Sequence, residues 1–162
     1  MSQQLWLLRH GEAVSHDSKP DAERELTARG ERQAAAAGGA LARLGVEFAA
    51  CYTSPKVRAR DTARLACEAL NVTPEETAVI ASGFSADDAL ELLLAHDADA
   101  RVLVVGHEPD LSRVLADLTG ARADVKKGGI VAISIERGSG TALVLLRPRE
   151  IESIAHGEPA GR

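Results

Sequence analysis

The sequence predicts an α/β fold with a mostly parallel central sheet and helices on both faces, a three-layer α/β/α arrangement. Three observations predict it: short apolar runs typical of buried strands, capping residues that bound helical segments, and the regular alternation of the two. Strands separated by helices pair in parallel and bury both faces. A chain of 162 residues is long enough for one such domain and short for two.

Capping residues define the helices of the first half. The first strand, Leu5 to Leu8, is followed by a polar loop and then by Thr27, the expected N-cap of a helix that ends just before Gly45. Ser54 is the expected N-cap of a second helix, with proline next to it at the first helical position. This second helix is predicted to run to about residue 70.

The remaining segments continue the alternation. The residues after Pro148 carry little core-forming content, so we expect this tail to be peripheral to a single domain that spans 1–162. Further strands are predicted at 48–53, 77–81, 102–105, 130–135 and 141–147, and further helices at 85–96 and 109–118.

Composition excludes several classes of partner. The formal net charge is −5 and no long basic run occurs, so neither a nucleic acid nor an anionic membrane surface is favoured. No stretch approaches the roughly 20 apolar residues of a membrane span, and the N-terminus lacks the features of a secretory signal. We therefore expect a cytoplasmic protein.

Aromatic and cysteine residues are few. One Trp, one Tyr and two Phe make a stacking platform for a nucleobase or a sugar hard to assemble. Cys51 and Cys67 lie on a predicted strand and helix and form no CxxC pair, so we expect buried reduced thiols rather than a disulfide or a zinc site.

A cation and an imidazole follow the first strand. Arginine presents a planar fork of donors to phosphate oxygens, and histidine can act as a nucleophile near neutral pH, which makes Arg9 and His10 candidates for phosphate chemistry. Gly11 is expected to let the backbone approach a ligand closely. The carboxyl ends of parallel strands share one edge of a sheet, so Arg58 and His107 are predicted to join them there. Two arginines and two histidines around one anion form a phosphate pocket.

These residues belong to a set of motifs that resembles a known family, the histidine phosphatase superfamily, also called phosphoglycerate mutase-like. Within it, the set is similar to the short SixA-type phosphohistidine phosphatases. The motifs occur in the family's order between residues 8 and 109: Leu8-Arg9-His10-Gly11-Glu12-Ala13, Arg24-Glu25-Leu26-Thr27 with Gly30, Ser54-Pro55-Lys56-Val57-Arg58-Ala59 with Thr62, and Val105-Gly106-His107-Glu108-Pro109.

The resemblance assigns a role to each matching residue. It makes His10 the nucleophile that takes the phosphoryl group as a phosphohistidine intermediate. Arg9 and Arg58 bind the phosphate oxygens, and His107 matches the second histidine, which contacts the same phosphate. Arg24 matches an arginine at the rim of the pocket.

The expected mechanism needs no metal and no cofactor. Arg9, Arg58 and a protonated His107 supply the positive charge that in-line phosphoryl transfer requires. Water then attacks phosphorylated His10 and completes a two-step displacement. A metal site built from His10, His107 and an aspartate is a minor alternative.

Carboxylates are the first candidates for the acid that protonates the leaving group. Glu12 is the candidate, with Asp87 and Asp88 as further carboxylates, although both aspartates are more simply explained as solvated charges at a helix start. A phosphohistidine substrate reduces the need for an acid because imidazole leaves more readily than an alkoxide. His107 is a further candidate proton donor.

Several other charged residues are expected to be incidental. An isolated lysine pair in a turn is usually solvated, although the loop that carries Lys126 and Lys127 could reach the pocket rim. The histidines and arginines that fit none of the motifs are assigned structural or solvated positions: His16, His96, His156, Arg29, Arg60 and Arg64.

Short connections between the motifs predict a shallow, open pocket. An open site suits a phosphoryl group mounted on another protein, so the leading substrate is phosphohistidine on a phosphotransfer domain or a phosphocarrier. The alternatives are a small-molecule phosphomonoesterase of the same superfamily and, from a different class, a non-catalytic phosphate-binding module. A mutase is less expected because it needs a site that excludes water.

Overall fold

A computed structural model describes residues 2–157 as one six-stranded sheet with five α-helices. None of the helices in this range is long and apolar enough to cross a membrane. The strands are β1 (Gln3–Arg9), β2 (Ala50–Thr53), β3 (Pro74–Glu76), β4 (Arg101–Gly106), β5 (Ile130–Glu136) and β6 (Ser139–Leu146). The helices are α1 (Ala28–Arg43), α2 (Val57–Cys67), α3 (Ala86–Leu93), α4 (Asp110–Thr119) and α5 (Pro148–His156), with 3-10 turns at Asp21–Glu23 and Ala78–Ile80.

The strand order is β3-β2-β4-β1-β5-β6. The first four of these strands run parallel, whereas β5 is antiparallel to β1 and β6 is antiparallel to β5. Leu8 of β1 and Thr53 of β2 both pair with Val105 of β4, so these three strands end at one level. The predicted, mostly parallel sheet is confirmed, and its register brings the three predicted loops to one edge.

Helices cover both faces of the sheet, as the sequence predicts. Along β1, Trp6 and Leu8 contribute to a core shared with α1, α2 and α5, and Leu5 and Leu7 contribute to a core shared with α3 and α4. This alternation is the period of a strand whose two faces are both buried. Both layers therefore hold β1 in place, which fixes the position of the residues that follow it.

Close contact between α1 and α2 depends on one glycine. A Cβ on Gly38 would overlap the carbonyl oxygen of Ala66, whereas a Cβ on the neighbouring Gly39 would meet only the Ala155 side chain, at 3.6 Å. We expect Gly38→Ala to lower the free energy of unfolding by about 3 kcal/mol, because the two helices must separate. Gly39→Ala is the matched control and should raise it by about 0.5–1 kcal/mol through helix propensity. Urea denaturation of both variants measures the contrast, and equal effects would contradict this account of the packing.

Two elements of the first half differ from the prediction. The second helix begins at Val57 and ends at Cys67, so Ser54 is not its N-cap. Instead, the Ser54 hydroxyl accepts a hydrogen bond from the Lys56 backbone N–H at 3.2 Å. The same hydroxyl lies 2.8 Å from His107 Nε2, at the carboxyl end of β4. The strand predicted at 77–81 is wrong: β3 lies just before it, at Pro74–Glu76, and residues 78–80 form a 3-10 turn that buries Ile80.

The tail is more than peripheral. Residues 148–156 form α5, which begins with proline at its first position and packs on α1. Ile151 is 1% exposed and belongs to the same core as Leu8 and Leu41. The sequence analysis did not predict this helix because the tail contains few apolar residues. One deeply buried side chain, Ile151, is nevertheless enough to anchor it. The part of the tail from 158 onward lies outside the described residues.

The two cysteines are buried free thiols, as predicted. Cys51 lies on β2 and Cys67 on α2, and their side chains share a hydrogen bond. That hydrogen bond, together with burial, raises the pKa of Cys51 far above its usual value. Cys51 is therefore an uncharged core residue at neutral pH.

Candidate active site

Backbone hydrogen bonds bring three strand ends together. The His10 N–H donates to the carbonyl of Gly106 at 3.1 Å, and the Ser54 N–H donates to the carbonyl of Val105 at 3.1 Å. The loops after β1, β2 and β4 thus meet at the carboxyl edge of the sheet. The ring centroids of His10 and His107 are 5.2 Å apart there.

One nitrogen of His10 is free for chemistry. The ring is 6% exposed, and its Nδ1 lies 2.7 Å from the carbonyl oxygen of Gly11. Because a carbonyl only accepts hydrogen bonds, Nδ1 carries the proton and Nε2 keeps its lone pair. Burial lowers the pKa of His10 to about 4, the Gly11 bond opposes this, and the charges of Arg58 and Arg9 reinforce it. At neutral pH His10 is an uncharged imidazole with a nucleophilic nitrogen.

His107 differs from the expectation. Its Nε2 is 2.8 Å from the Ser54 hydroxyl, and its buried Nδ1 has no hydrogen-bond partner among the described residues. Burial, followed by His10 and nearby cations, lowers the pKa of His107 to about 3, with Asp21 opposing the shift. Burial, reinforced by these neighbouring groups, therefore leaves His107 neutral at pH 7, not protonated as predicted. A bound oxyanion would raise its pKa, because an opposite charge favours the protonated form.

Both predicted phosphate-binding arginines are held by the backbone. Arg9 Nη1 donates to the carbonyl of Val125 at 2.9 Å, and Arg58 Nη1 donates to the carbonyl of Asp21 at 2.7 Å. The buried Nε atoms of both arginines have no hydrogen-bond partner within residues 2–157. The Arg9 guanidinium is thus oriented by one donor. The Arg58 guanidinium is oriented by two, because its Nη2 also donates to the Asp21 carboxylate at 3.3 Å, and both groups retain further donors for a ligand.

A carboxylate that the sequence analysis missed lies against this cluster. Asp21 contacts Arg24 at 3.1 Å, Lys56 at 3.1 Å and Arg58 at 3.3 Å. Burial raises its pKa, but hydrogen bonds from Lys56 and Arg24 and the charge of Arg58 outweigh burial and hold the pKa well below its usual range. Asp21 is therefore ionised at every physiological pH. Arg24, predicted at the rim, is buried and joins the cluster through Asp21.

Gly11 has a packing role that the sequence analysis did not predict. Its N–H donates to the Thr62 hydroxyl at 3.0 Å, and a Cβ at this position would lie 2.5 Å from the carbonyl oxygen of Gly30. Glycine is therefore required here for a close approach to the start of α1, and the approach of Gly11 to a ligand stays a prediction. Thr62 in turn donates to the carbonyl of Arg58 at 2.7 Å, which ties α2 to the loop after β1.

The candidate acids are engaged elsewhere. The Glu12 carboxylate accepts a hydrogen bond from the Thr27 hydroxyl at 3.0 Å and lies 3.5 Å from Arg29. Asp88 forms a capping box with Ser85 at the start of α3, and Asp87 lies in the first turn of the same helix. The structure brings His10, His107, Arg58, Arg9 and Arg24 together, but none of these three carboxylates joins them.

The remaining histidines lie outside the pair formed by His10 and His107. His16 contacts Arg24 at 3.1 Å, His96 contacts the Tyr52 hydroxyl at 2.8 Å, and His156 lies in the last turn of α5. Over residues 2–157, no group of three or more His, Cys, Asp or Glu side chains is placed to hold a metal ion.

Comparison with known proteins identifies the family. The family model of the histidine phosphatase superfamily (branch 1) matches residues 5–81. An uncharacterized protein of Picosynechococcus sp. is 34% identical over 138 residues, which cover 80% of this chain and 84% of that protein. The chain belongs to the histidine phosphatase superfamily.

Solved structures share the fold of this superfamily member. The protein histidine phosphatase SixA complexed with tungstate has a TM-score of 0.83 at 24% identity, covering 91% of this chain and 99% of SixA. The α-ribazole phosphatase of Shigella flexneri has a TM-score of 0.73 at 23% identity, with coverages of 90% and 96%. A mycobacterial glucosyl-3-phosphoglycerate phosphatase has a TM-score of 0.75 at 16% identity, with coverages of 91% and 100%. At these identities the likeness shows the fold.

The lowered pKa values of the two histidines make the stability of this superfamily member pH-dependent. In the unfolded chain both rings protonate near the ordinary value of about 6.5. Between that pH and the folded values of about 4 and about 3, the unfolded chain binds more protons, so stability falls as the pH falls. We expect the contribution of His107 to decrease by about 2 kcal/mol between pH 7 and pH 5.

Urea unfolding of His107→Asn at the two pH values measures this contribution. The variant should lose less stability on acidification than the wild type does. His156→Asn, on the exposed end of α5, is the control and should follow the wild type. Parallel curves for all three proteins would show that His107 titrates normally in the folded state.

Proposed function

We propose that the protein is a phosphatase that removes the phosphoryl group from phosphohistidine on another protein, through a covalent intermediate on His10. The observation that carries this proposal is the Nδ1–H bond of His10 to the Gly11 carbonyl, which leaves a lone pair on Nε2 and supports a nucleophilic role for that nitrogen. The charges of Arg9 and Arg58 are close enough to lower the pKa of His10, and the ring centroid of His107 lies 5.2 Å from that of His10, which supports a shared site for phosphate oxygens. Membership of the superfamily supports a hydrolase, and the resemblance to SixA supports the phosphohistidine substrate.

The proposed reaction has two steps, and neither needs a metal ion. The Nε2 lone pair of His10 attacks phosphorus, and the bond from phosphorus to the leaving nitrogen breaks. Water then attacks the phosphorus on His10, so that inorganic phosphate forms and His10 regains its lone pair. Arg9, Arg58 and His107, which takes up a proton when the anion binds, supply the charge that stabilises transfer.

The state of the carboxylates favours a phosphoramidate over a phosphate ester. Glu12 is paired with Thr27 and Arg29, and the ionised Asp21 has no proton to donate. An alkoxide leaving group needs such a proton. Phosphohistidine protonated on its far ring nitrogen leaves as a neutral imidazole, so it needs none. This supports the protein substrate, a phosphotransfer domain or a phosphocarrier in the cytoplasm.

A small-molecule phosphomonoesterase is the second candidate. The observation that favours it is the shared fold with phosphatases whose names specify α-ribazole phosphate or glucosyl-3-phosphoglycerate as substrates. His107 would then have to protonate the leaving oxygen after taking up a proton with the substrate. The third alternative, a non-catalytic phosphate-binding module, requires that phosphorylated His10 resist water.

Phosphate release distinguishes these functions. A histidine-phosphorylated carrier protein and a panel of sugar, nucleoside and serine phosphates are assayed side by side, with and without a metal chelator. We expect fast release from the carrier, slow release from the esters, no effect of the chelator and inhibition by vanadate, which mimics the five-coordinate transition state. Faster release from one ester would favour the second candidate. Stable phosphorylation of the protein without release would favour the binding module.

A further inference from the structure

A basic cavity of about 390 Å³ adjoins the phosphate-binding arginine Arg9. It lies between the first turns of α1 and the loop that precedes β5, and Glu12 is the one carboxylate in its lining. The side chains that line this basic cavity are Arg9, Glu12, Arg29, Gln33, Lys126, Lys127 and Pro148. Four of them carry a positive charge.

Hydrogen bonds tie the lysine loop to the catalytic strand end. The Gly128 N–H is shared between the carbonyls of Arg9 and His10, at 3.1 Å to each, and the Arg9 N–H donates to the carbonyl of Gly129 at 3.0 Å. The charge of Lys127 is close enough to contribute to the lowered pKa of His10. The loop that sequence analysis treated as solvated is therefore built into the wall beside His10.

The charges around the basic cavity are only partly neutralised. Lys126 pairs with Asp124 at 2.6 Å, and Arg29 lies 3.5 Å from Glu12 while its side chain stays 68% exposed. Lys127 is exposed and makes no hydrogen bond or ion pair within the described residues. The Gln33 side chain is oriented by its oxygen, which accepts from the Glu12 N–H at 2.8 Å. Unpaired cations beside a phosphate pocket favour a further anion.

We propose that the basic cavity binds a second oxyanion, a carboxylate or a phosphate, carried by the molecule whose phosphoryl group reaches His10. Lys127 and Arg29 contact this second group while Arg9 faces both anions. This inference rests on the proposed phosphatase function, because the second anion belongs to the molecule that is dephosphorylated. The charge and position of the cavity do not depend on which substrate is hydrolysed. On a protein substrate the second group is an acidic side chain near the phosphohistidine. On a small molecule it is another acid group.

The test compares the double variant Lys127→Ala/Arg29→Ala with Arg64→Ala. Arg64 lies on the exposed side of α2, pairs with Glu68 at 3.6 Å and is the control for loss of surface charge. Two readouts are used: KM for the histidine-phosphorylated carrier, and calorimetric Kd values for 2,3-bisphosphoglycerate and inorganic phosphate. The second readout needs no turnover. Phosphoimidazole, which has no second acid group, is the reference substrate for kcat.

If the proposal holds, the double variant weakens binding of a molecule with two anionic groups about tenfold and changes binding of inorganic phosphate and kcat on phosphoimidazole less than twofold. A rise in KM for the carrier identifies the second group as an acidic side chain of the protein substrate. A change only in the Kd for bisphosphoglycerate identifies it as an acid group of a small molecule and excludes an acidic side chain of the carrier, while the phosphate-release assay decides separately whether the carrier is a substrate. Effects no larger than those of Arg64→Ala on both readouts would overturn the cavity assignment, whatever the carrier assay shows.

Discussion

Replacing His10 by alanine is expected to lower kcat by about 10⁵-fold, because it removes the atom that forms the covalent intermediate. The effect should fall on kcat rather than on phosphate binding, since Arg9, Arg58 and His107 remain. Rapid quench of the wild-type protein with labelled substrate should trap phosphate in an acid-labile, base-stable linkage. The alanine variant should trap none.

His156→Ala is the matched control for this experiment. It removes an exposed histidine from the last turn of α5 and should leave both kcat and the trapped label unchanged. Retention of the label by His10→Ala would place the intermediate on another residue. Wild-type rates in that variant would show that water attacks the substrate directly.

Replacing Arg58 by alanine is expected to lower kcat/KM by about 10³-fold. Its guanidinium is 6% exposed, is oriented by the carbonyl of Asp21 and keeps a buried Nε without a partner in the described part of the chain. Charge held in such a site stabilises the equatorial oxygens of the transferred group at no cost of reorganisation. Arg58→Lys should recover only about tenfold of the loss, because lysine keeps the charge but not the planar fork.

The next arginine on the same helix provides the control. Arg60 is about half exposed and lies 3.4 Å from Asp61, so Arg60→Ala should change kcat/KM less than twofold. Steady-state kinetics on the phosphorylated carrier give the comparison, and thermal unfolding verifies that each variant is folded. Equal losses in the Arg58 and Arg60 variants would mean that net positive charge, not a placed guanidinium, promotes the reaction.

Much of the fold could be predicted because its signals are local. The runs Leu5 to Leu8 and Val102 to Val105 are apolar throughout. A continuous apolar run of this length is typical of a strand that is buried on both faces. Thr27 caps α1 by accepting a hydrogen bond from the Gly30 N–H at 3.1 Å, as its position predicts. The predicted convergence of His10, His107 and both arginines needed only the rule that parallel strands share a carboxyl edge.

The features that were missed depend on contacts between distant segments. Nothing near Asp21 in the sequence shows that its loop folds back onto Arg58, 37 residues away. Lys56 lies within the third of the quoted motifs, and this was the one sequence signal that placed Lys56 near the site. The neutral state of His107 follows from burial, which spacing does not reveal. The α5 helix depends on the fit of one isoleucine into a core to which α1 and α2 contribute mainly alanines.

The position of β1 in the sheet has a consequence for how the protein is made. β1 is synthesised before the other five strands, yet its sheet neighbours are β4 and β5, whose residues begin at 101 and 130. The Arg9 guanidinium obtains its backbone acceptor only when Val125 has been synthesised. At about 5–20 residues per second, the nascent chain spends several seconds with an apolar first strand and no partner for it. The site therefore forms late in translation, and during that interval the unpaired apolar strand is exposed to aggregation.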